Sequence, residues 1–409
     1  MIVINRIIHP VGQGAFYTET IKTKVRRYNI VYDCGSTTTY KENSSKTILE
    51  TEIKSFYDYK EKIDLLFISH FDNDHVNGLK HLKDYCDIKC VIMPLLPPSA
   101  MWFYLEQLDE SSQQLIADPH KFFGEKTKII RVKSTNGPEQ ERGELVLNDN
   151  EPSAKDEIVS GTIIQFCNLR DWCYIPLNFD EETRYEKLIN ILDDSNIDKE
   201  ELLKGNIDYI QKHRADINKA YKKITKSGTS NDCSLIVYSG PTKTSHNFCR
   251  KYNYKWIYRI LHNPYYYHRI LHNPYYYHRD IPFEYIVEKV ACLYLGDTDL
   301  NQTSQSKSKS KNKSKSKSLL DILSEYFENI RANIGLIQVP HHGSKHNFNK
   351  LILSKMPHHS MYFASFGANN TYGHPSYEVI ANIEEKNYFI GVTEDRNSAL
   401  VDTIFRGYT

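Results

Sequence analysis

The chain has 409 residues, enough to bury a large core, and its 40% hydrophobic and 25% charged residues are close to the average for globular proteins. Its 52 basic and 51 acidic residues give a formal charge of +1, which excludes a general electrostatic attraction to nucleic acid. The N-terminal apolar run breaks at Arg6, too early for a signal peptide, and no segment approaches the ~20 apolar residues of a membrane span. The eight cysteines include no C-x-x-C pair, so we expect reduced cysteines in a cytoplasmic protein.

The first strong signal along the chain is a group of four potential metal ligands directly after an apolar run. Residues 63–68 predict a short buried strand, and His70, Asp72, Asp74 and His75 follow it. Alternate side chains of an extended segment project to one side, so the first three can converge, while His75 turns in with the following helix. Imidazole and carboxylate together suit zinc, manganese or iron. The alternative is a polar strand-to-helix loop with an acidic residue near the helix N-terminus.

Residues 91–228 form a long middle segment. Its later part, 181–226, is rich in Glu, Lys, Leu and Ile with apolar residues at helical offsets, which predicts helices. We therefore expect a mostly helical insertion, which either buttresses the fold or covers a site and binds a partner.

A ten-residue segment, RILHNPYYYH at 259–268, recurs unchanged at 269–278. Aromatic residues interleaved with Arg and His are typical of stacking platforms for single-stranded nucleic acid. A tolerated expansion of a loop is the other interpretation, because two copies are too few for a repeat architecture.

Residues 304–318 alternate Ser and Lys, and the composition predicts a flexible loop that cannot bury enough surface to fold. Such a basic arm either attracts a polyanion, with a matching salt dependence, or serves as a solvated spacer.

Three further clusters of polar residues each follow an apolar, strand-like run, at 295–299, 339–344 and 369–375. Each alone has an ordinary explanation as a turn or connecting loop. Because all of them would lie at the C-terminal ends of strands, we expect them to meet at one edge of a sheet.

Seven short motifs along the chain occur in an order that resembles the metallo-β-lactamase superfamily of binuclear metal hydrolases. Within it the likeness is greatest to the soluble hydrolase domain of ComEC-type DNA-uptake proteins and their free-standing relatives. The motifs are Gly12-Gln13-Gly14, Asp33-Cys34-Gly35-Ser36, the run from His70 to His75, Asn231-Asp232-Cys233-Ser234-Leu235, Gly296-Asp297, His341-His342-Gly343-Ser344 and Asn370-Thr371-Tyr372-Gly373-His374-Pro375.

The resemblance implies a single α/β domain over residues 1–409, an αββα sandwich of two mixed β-sheets with helices outside. Residues 1–90 would form the N-terminal half, 91–228 the helical insertion, and 229–409 the C-terminal half with the flexible loop 304–318.

The resemblance also implies two divalent metal ions. His70 and Asp72 would bind the first ion, Asp74 and His75 the second, and Asp297 would bridge both. One or both of His341 and His342 would supply a further imidazole. The wider superfamily usually has histidines where this chain has Asp72 and near Asn231, so manganese is expected as well as zinc.

Such a centre predicts hydrolysis of a phosphodiester, of nucleic acid first and of a small molecule second. Asp74, His342 and His374 are the predicted catalytic residues, with the histidines protonating the leaving oxygen or holding a phosphate. The alternatives are a hydrolase of another ester, of the phosphocholine-ester or thiolester type, an effector hydrolase gated by a regulatory protein, and a binding module that has lost the chemistry.

Overall fold

The structure, a computed structural model, describes most of both ends of the chain and part of its middle. Nearly all of the predicted helical segment 181–226, the whole duplication 259–278, most of the Ser/Lys segment and Asn231 lie outside the described residues. Among the helices in the described ranges, none is both long and apolar enough to cross a membrane. The described residues are 2–38, 45–96, 110–135, 137, 142–148, 155–179, 197–198, 234–243, 248–252, 289–304 and 317–406, with single positions between 201 and 219.

Strands dominate the described residues. In chain order they are β1 (Ile2–Ile8), β2 (Phe16–Lys22), β3 (Arg27–Cys34), β4 (Lys62–Ile63), β5 (Leu65–Phe67), β6 (Asp87–Ile88), β7 (Cys90–Pro94), β8 (Lys128–Thr135), β9 (Glu144–Leu147), β10 (Glu157–Val159), β11 (Ile163–Phe166), β12 (Leu169–Phe179), β13 (Leu235–Pro241), β14 (Phe248–Tyr252), β15 (Ala291–Tyr294), β16 (Thr303–Ser304), β17 (Lys317–Ser318), β18 (Ile334–Gln338), β19 (Met361–Ser365), β20 (Tyr388–Val392) and β21 (Leu400–Arg406).

The helices in the described ranges are short. They are α1 (Ser45–Phe56), α2 (Asn73–Val76), α3 (Leu79–Tyr85), α4 (Glu110–Ala117), α5 (Pro119–Phe123), α6 (Leu319–Tyr326), α7 (Ile352–Lys355) and α8 (Tyr377–Glu384), with 3-10 turns at Arg331–Asn333, His341–Gly343 and Arg396–Ser398.

Seventeen strands are hydrogen-bonded into one large mixed sheet that consists of two runs. The first run has the order β14-β21-β1-β2-β3-β5-β7-β8-β10, antiparallel as far as β3 and parallel beyond it. The second run has the order β9-β11-β12-β13-β15-β18-β19-β20, with its parallel pairs at both ends. The two runs join where the end of β8 pairs with the end of β12.

Both faces of the strands are buried. In β5, Leu65 and Phe67 belong to a core cluster that includes side chains of the second run, whereas Leu66 lies in a separate cluster with side chains of α1 and α3. A third cluster joins the outer face of the second run to α6, α7 and α8. This explains why the strands beside the site are continuous apolar runs rather than alternating ones.

Aromatic rings join the two runs in the core. The Tyr32 ring stacks on Tyr294 with centroids 4.7 Å apart, and the Tyr17 ring meets the edge of Phe363 at 5.4 Å. A buried aromatic side chain contributes about 1.5–3 kcal/mol by leaving water, so these contacts fix the two runs against each other.

The first half of the predicted insertion, residues 91–179, differs from the prediction. Its described residues contain most of β7, all of β8 to β12 and two short helices, α4 and α5. β8 carries the adjacent buried residues Ile129 and Ile130, and β12 is buried throughout from Trp172 to Phe179, so these two strands do not alternate between apolar and polar residues. This part therefore builds the sheet, and the helical prediction for 181–226 stays a prediction.

A buried network of charges also joins the two runs. Arg6 in β1 donates to Glu19 in β2 at 2.7 Å and to Asp402 in β21 at 2.6 Å, and Arg250 in β14 donates to Asp402 at 2.9 Å. Glu19 also accepts hydrogen bonds from three side chains of the second run. These donors are Tyr174, Ser239 and Tyr294. Burial raises the pKa of Glu19, but the charge of Arg6 and these hydrogen bonds outweigh it and hold the pKa below its usual value.

We expect Arg6→Met to destabilise the fold by about 3–5 kcal/mol, because it leaves two buried carboxylates without their shared partner. Equilibrium unfolding in urea measures this change. Arg396→Met is the control, since Arg396 is 73% exposed and lies 3.9 Å from Glu52, and it should change the free energy of unfolding by less than about 0.5 kcal/mol. Equal effects of the two substitutions would contradict a structural role for the buried network.

Candidate metal centre

The polar clusters of the sequence lie at the C-terminal ends of parallel strands, as predicted. Asp33 is near the end of β3, and His70 follows β5, the parallel neighbour of β3. Asp297 follows β15, and the turn His341–Gly343 follows β18, which is parallel to β15. The adjoining ends of the two runs thus supply side chains to one place.

His70 is held through its Nδ1 atom. This atom lies 2.8 Å from Oγ of Ser69 and 3.2 Å from Oγ of Ser234. The Ser69 hydroxyl donates its hydrogen bond to Oδ2 of Asp33 at 2.6 Å. Because its only proton is used there, it accepts a hydrogen bond from Nδ1 of His70. The Nε2 atom of His70 is thereby left with its lone pair.

His75 is held by the same carboxylate. Its Nδ1 atom lies 2.8 Å from Oδ2 of Asp33, and Oδ1 of Asp33 accepts the backbone N–H of Ser69 at 2.7 Å. A carboxylate that accepts a hydrogen bond from one imidazole nitrogen leaves the other nitrogen available as a metal ligand and orients it. Asp33 therefore orients His75 directly and His70 through Ser69.

The two carboxylate oxygens of Asp297 face different imidazoles. Oδ1 lies 3.2 Å from Nε2 of His75, whereas Oδ2 lies 3.8 Å from Nε2 of His70 and 3.7 Å from Nε2 of His341. The backbone N–H of Asp297 donates to Oγ of Ser234 at 2.9 Å, which fixes the loop. The two oxygens of this one carboxylate thus lie beside two different imidazole nitrogens, that of His75 and that of His70.

Asp74 and His342 complete the other side. Nε2 of His342 lies 3.0 Å from Oδ2 of Asp74, and Nδ1 donates to the carbonyl oxygen of Ser365 at 2.7 Å. His342 has a φ of 55°, an uncommon conformation for a residue with a side chain, so the surrounding contacts must stabilise it.

Two overlapping groups of potential ligands occur among the described residues, and the ligand atoms in each group lie within 4.8 Å of one another. Five of the predicted metal ligands belong to them. Asp72 and His341 belong to neither group, although Oδ2 of Asp72 lies 3.9 Å from Nε2 of His70. The groups are His70, His75 and Asp297, and Asp74, His75 and His342.

These residues fit divalent cations. The Nε2 atoms of His70 and His75 are buried and have no hydrogen-bond partner among the described residues, which is costly unless a cation binds there. Burial and the nearby charge of His75 lower the pKa of His70 to about 3, so its ring is a neutral ligand at physiological pH. Burial also lowers the pKa of His75, but the charges of Asp297 and Asp33 outweigh it and raise the pKa well above its usual value. The site therefore favours positive charge beside Asp297.

The carboxylates remain ionised. Burial raises the pKa of Asp74, but the hydrogen bond with His342 and the charge of His75 lower it to about 2. Burial likewise opposes the charge of Asp297, and the charges of His341, His75 and His342 hold its pKa well below its usual value. Both groups are available as anionic ligands across the physiological pH range.

His374 lies at the outer side of the site. Its Nδ1 atom is 3.3 Å from the carbonyl oxygen of His341, and its backbone N–H donates to Oδ1 of Asn370 at 3.1 Å. Burial, with the charges of His342 and His341, lowers the pKa of His374 to about 4. The ring is therefore neutral near pH 7. Its Nδ1 atom donates toward the carbonyl oxygen of His341, so Nε2 accepts a hydrogen bond rather than donating one.

Two glycines of the predicted motifs allow the backbone to approach closely. A Cβ atom on Gly35 would lie 2.5 Å from the carbonyl carbon of Asp74 and 2.5 Å from the nitrogen of His75. Gly14, with a φ of 151°, would meet the Asp74 carbonyl oxygen at 2.7 Å. The conformation of the ligand loop thus requires glycine at these positions.

Sequence reasoning did not predict the roles of the residues that hold the ligands. Asp33 entered only as part of a resembling motif, and Ser69 and Ser234 had no predicted role. The available signal was the carboxylate of Asp33 near the end of an apolar strand, because a buried carboxylate needs hydrogen-bond donors around it.

We expect Asp33→Asn to weaken metal binding about 10–100-fold, because the amide is a poorer acceptor for the imidazole protons. Calorimetric titration of the metal-stripped protein with manganese measures the affinity. A variant that binds manganese as tightly as the wild type would show that Asp33 does not orient the ligands.

The two neighbouring histidines should differ in metal binding. His342→Ala should lower the bound metal from about two ions per chain to about one, because it removes a member of a ligand group. His341→Ala should leave the content unchanged. Mass spectrometry of manganese-loaded, desalted protein measures both, and loss of metal in the His341 variant alone would reverse the assignment.

Residues 25–151 match the family model described as the metallo-beta-lactamase superfamily. The match covers about a third of the chain, includes Asp33 and the ligands from His70 to His75, and ends before Asp297. No curated protein matches the chain. The match agrees with the α/β architecture and the clustered ligands, and it does not favour the ComEC-type group within the superfamily. Residues 25–151 therefore correspond to a metallo-beta-lactamase superfamily domain, a domain found mostly in metal-dependent hydrolases.

Proposed function

We propose that the protein hydrolyses phosphodiesters with a dinuclear metal centre, nucleic acids being the first substrate class. The superfamily match supports a metal-dependent hydrolase in general. The observation that carries the finer proposal is the Asp297 carboxylate, whose two oxygens face the separate imidazoles of His75 and His70. A carboxylate placed in this way suits a bridge between two cations.

We assign His70, Asp72 and Asp297 to one metal and Asp74, His75, His342 and Asp297 to the other. The mixture of imidazole and carboxylate donors suits zinc or manganese. Two such cations would supply an activated water and neutralise charge on the phosphoryl oxygens, which suits an anionic phosphodiester better than a neutral thiolester.

The side chains next to the metal ligands divide the remaining tasks. His341 is only partly buried, and its Nδ1 atom lies 2.9 Å from Oδ1 of Asn347, which directs Nε2 toward Asp297. In its protonated form His341 can protonate the leaving oxygen or hold a phosphate. His374, neutral near pH 7, accepts a hydrogen bond from water or substrate, and this differs from the protonating role that the sequence allows.

We also infer that the two runs of strands form the predicted αββα sandwich. Support comes from the three core clusters, one between the runs and one on the outer face of each with its helices. The site then lies at one edge of the sandwich.

The direct test is hydrolysis of labelled single- and double-stranded DNA and RNA, with bis(p-nitrophenyl) phosphate beside them, by metal-stripped protein after manganese or zinc is added. We expect metal-dependent cleavage. Asp297→Asn should reduce turnover on the order of 100-fold or more, since it weakens a shared ligand.

Asp299→Asn is the matched control, because it makes the same chemical change two residues away. The Asp299 carboxylate accepts hydrogen bonds from the backbone and side chain of Asn301. This variant should retain activity close to that of the wild type. Protein that binds two ions per chain and cleaves none of these phosphodiesters would contradict the proposed function.

A further inference from the structure

A large aromatic side chain is exposed beside the site. Tyr372, on the loop between β19 and α8, is 71% exposed. Its ring meets the His374 ring edge-on, with centroids 6.0 Å apart and planes at 79°. Single exposed aromatic residues are ordinary on protein surfaces, but this one is distinguished by its surroundings.

The Tyr372 ring is the outer end of a line of rings that begins at the ligands. The His374 ring lies 5.5 Å from the His341 ring, and Nε2 of His341 lies 3.7 Å from Oδ2 of Asp297. The line therefore connects the position where a phosphoryl group would bind with an aromatic surface in contact with solvent.

The loop holds Tyr372 in place. The side-chain amide of Asn370 donates to the carbonyl oxygens of Gly367 and His374 at 2.8 and 2.6 Å, and its Oδ1 accepts from the backbone of His374. Gly373 has a φ of +73°, which turns the chain between the two rings, and the space beside it is open. A ring carried by an ordered loop forms a stacking contact at a lower entropy cost than a ring on a mobile loop.

We propose that Tyr372 stacks on a nucleobase of the substrate, which makes the substrate a phosphodiester that carries a nucleoside. This inference rests on the proposed function. A flat ring at a fixed place near an anion-binding centre matches a ligand with a phosphate and a base, and stacking on an aromatic side chain accepts any base. Tyr372 thus determines specificity and takes no part in bond cleavage.

Two esters with the same leaving group test the proposal in the metal-loaded protein, thymidine 5′-(p-nitrophenyl phosphate) and methyl p-nitrophenyl phosphate. Tyr372→Ala should lower kcat/KM for the thymidine ester about 10-fold, mainly through KM, and leave the methyl ester unchanged. Tyr372→Phe should retain the wild-type values, because the phenyl ring still stacks.

Tyr59→Ala is the matched control. Tyr59 is 68% exposed and also meets a neighbouring ring edge-on, that of Tyr85 at 5.6 Å, but it precedes β4 and lies away from the strand ends that carry the site. This variant should change neither ester. An equal change of kcat/KM for both esters in the Tyr372→Ala variant, or no change for either, would overturn the stacking role.

Titration calorimetry with thymidine 5′-monophosphate and inorganic phosphate gives a readout that needs no turnover. Tyr372→Ala should weaken binding of the nucleotide about 10-fold and leave phosphate unchanged. Equal binding of the nucleotide by wild type and variant would overturn the inference. A wild type that binds the nucleotide through Tyr372 but hydrolyses neither ester would contradict the proposed function and leave the nucleotide site supported.

Discussion

The buried carboxylate of Asp33 is the contact on which the candidate centre depends. It accepts a hydrogen bond from Nδ1 of His75 at 2.8 Å, and two more from the hydroxyl and the backbone N–H of Ser69 at 2.6 and 2.7 Å. Because the Ser69 hydroxyl in turn accepts from Nδ1 of His70, one carboxylate sets the tautomers of two imidazoles. Burial raises the pKa of Asp33, whereas the hydrogen bonds from His75 and Ser69 stabilise its charged form and limit that rise. Both free nitrogens then face the Asp297 carboxylate.

The site also depends on contacts far from it. His70 and His75 follow the first run of strands, whereas Asp297 follows the second, so the ligands meet only if the two runs keep a fixed distance. Stacked tyrosines and the network around Glu19 supply this constraint, since Glu19 in the first run accepts hydrogen bonds from Tyr294, three residues before Asp297. Packing in the core and metal affinity are therefore coupled, and loosening the core should loosen the centre.

The sequence named all five members of the two candidate ligand groups, but few of the residues that hold them in place. His70, Asp297 and His342 were accessible because each follows a short apolar strand, and strand ends of parallel neighbours share an edge. The superfamily resemblance came from the order of the motifs, and the match over residues 25–151 supports it at the level of a superfamily domain. The sequence did not show that His342, rather than His341, lies with Asp74 and His75, because this placement depends on a left-handed turn with φ near 55°. Ser234 was missed because its contact with His70 spans 164 residues of sequence. The strands β11 and β12 were missed because burial of adjacent residues removes the alternation that identifies a strand.

We propose that two cations lie on either side of the Asp297 carboxylate. Anomalous diffraction at the manganese absorption edge, from crystals of the manganese-loaded protein, would locate them. We expect two peaks, one next to Nε2 of His70 and the other next to Nε2 of His75, with the Asp297 carboxylate between them. A single peak, or peaks held by residues that do not include Asp297, would contradict it.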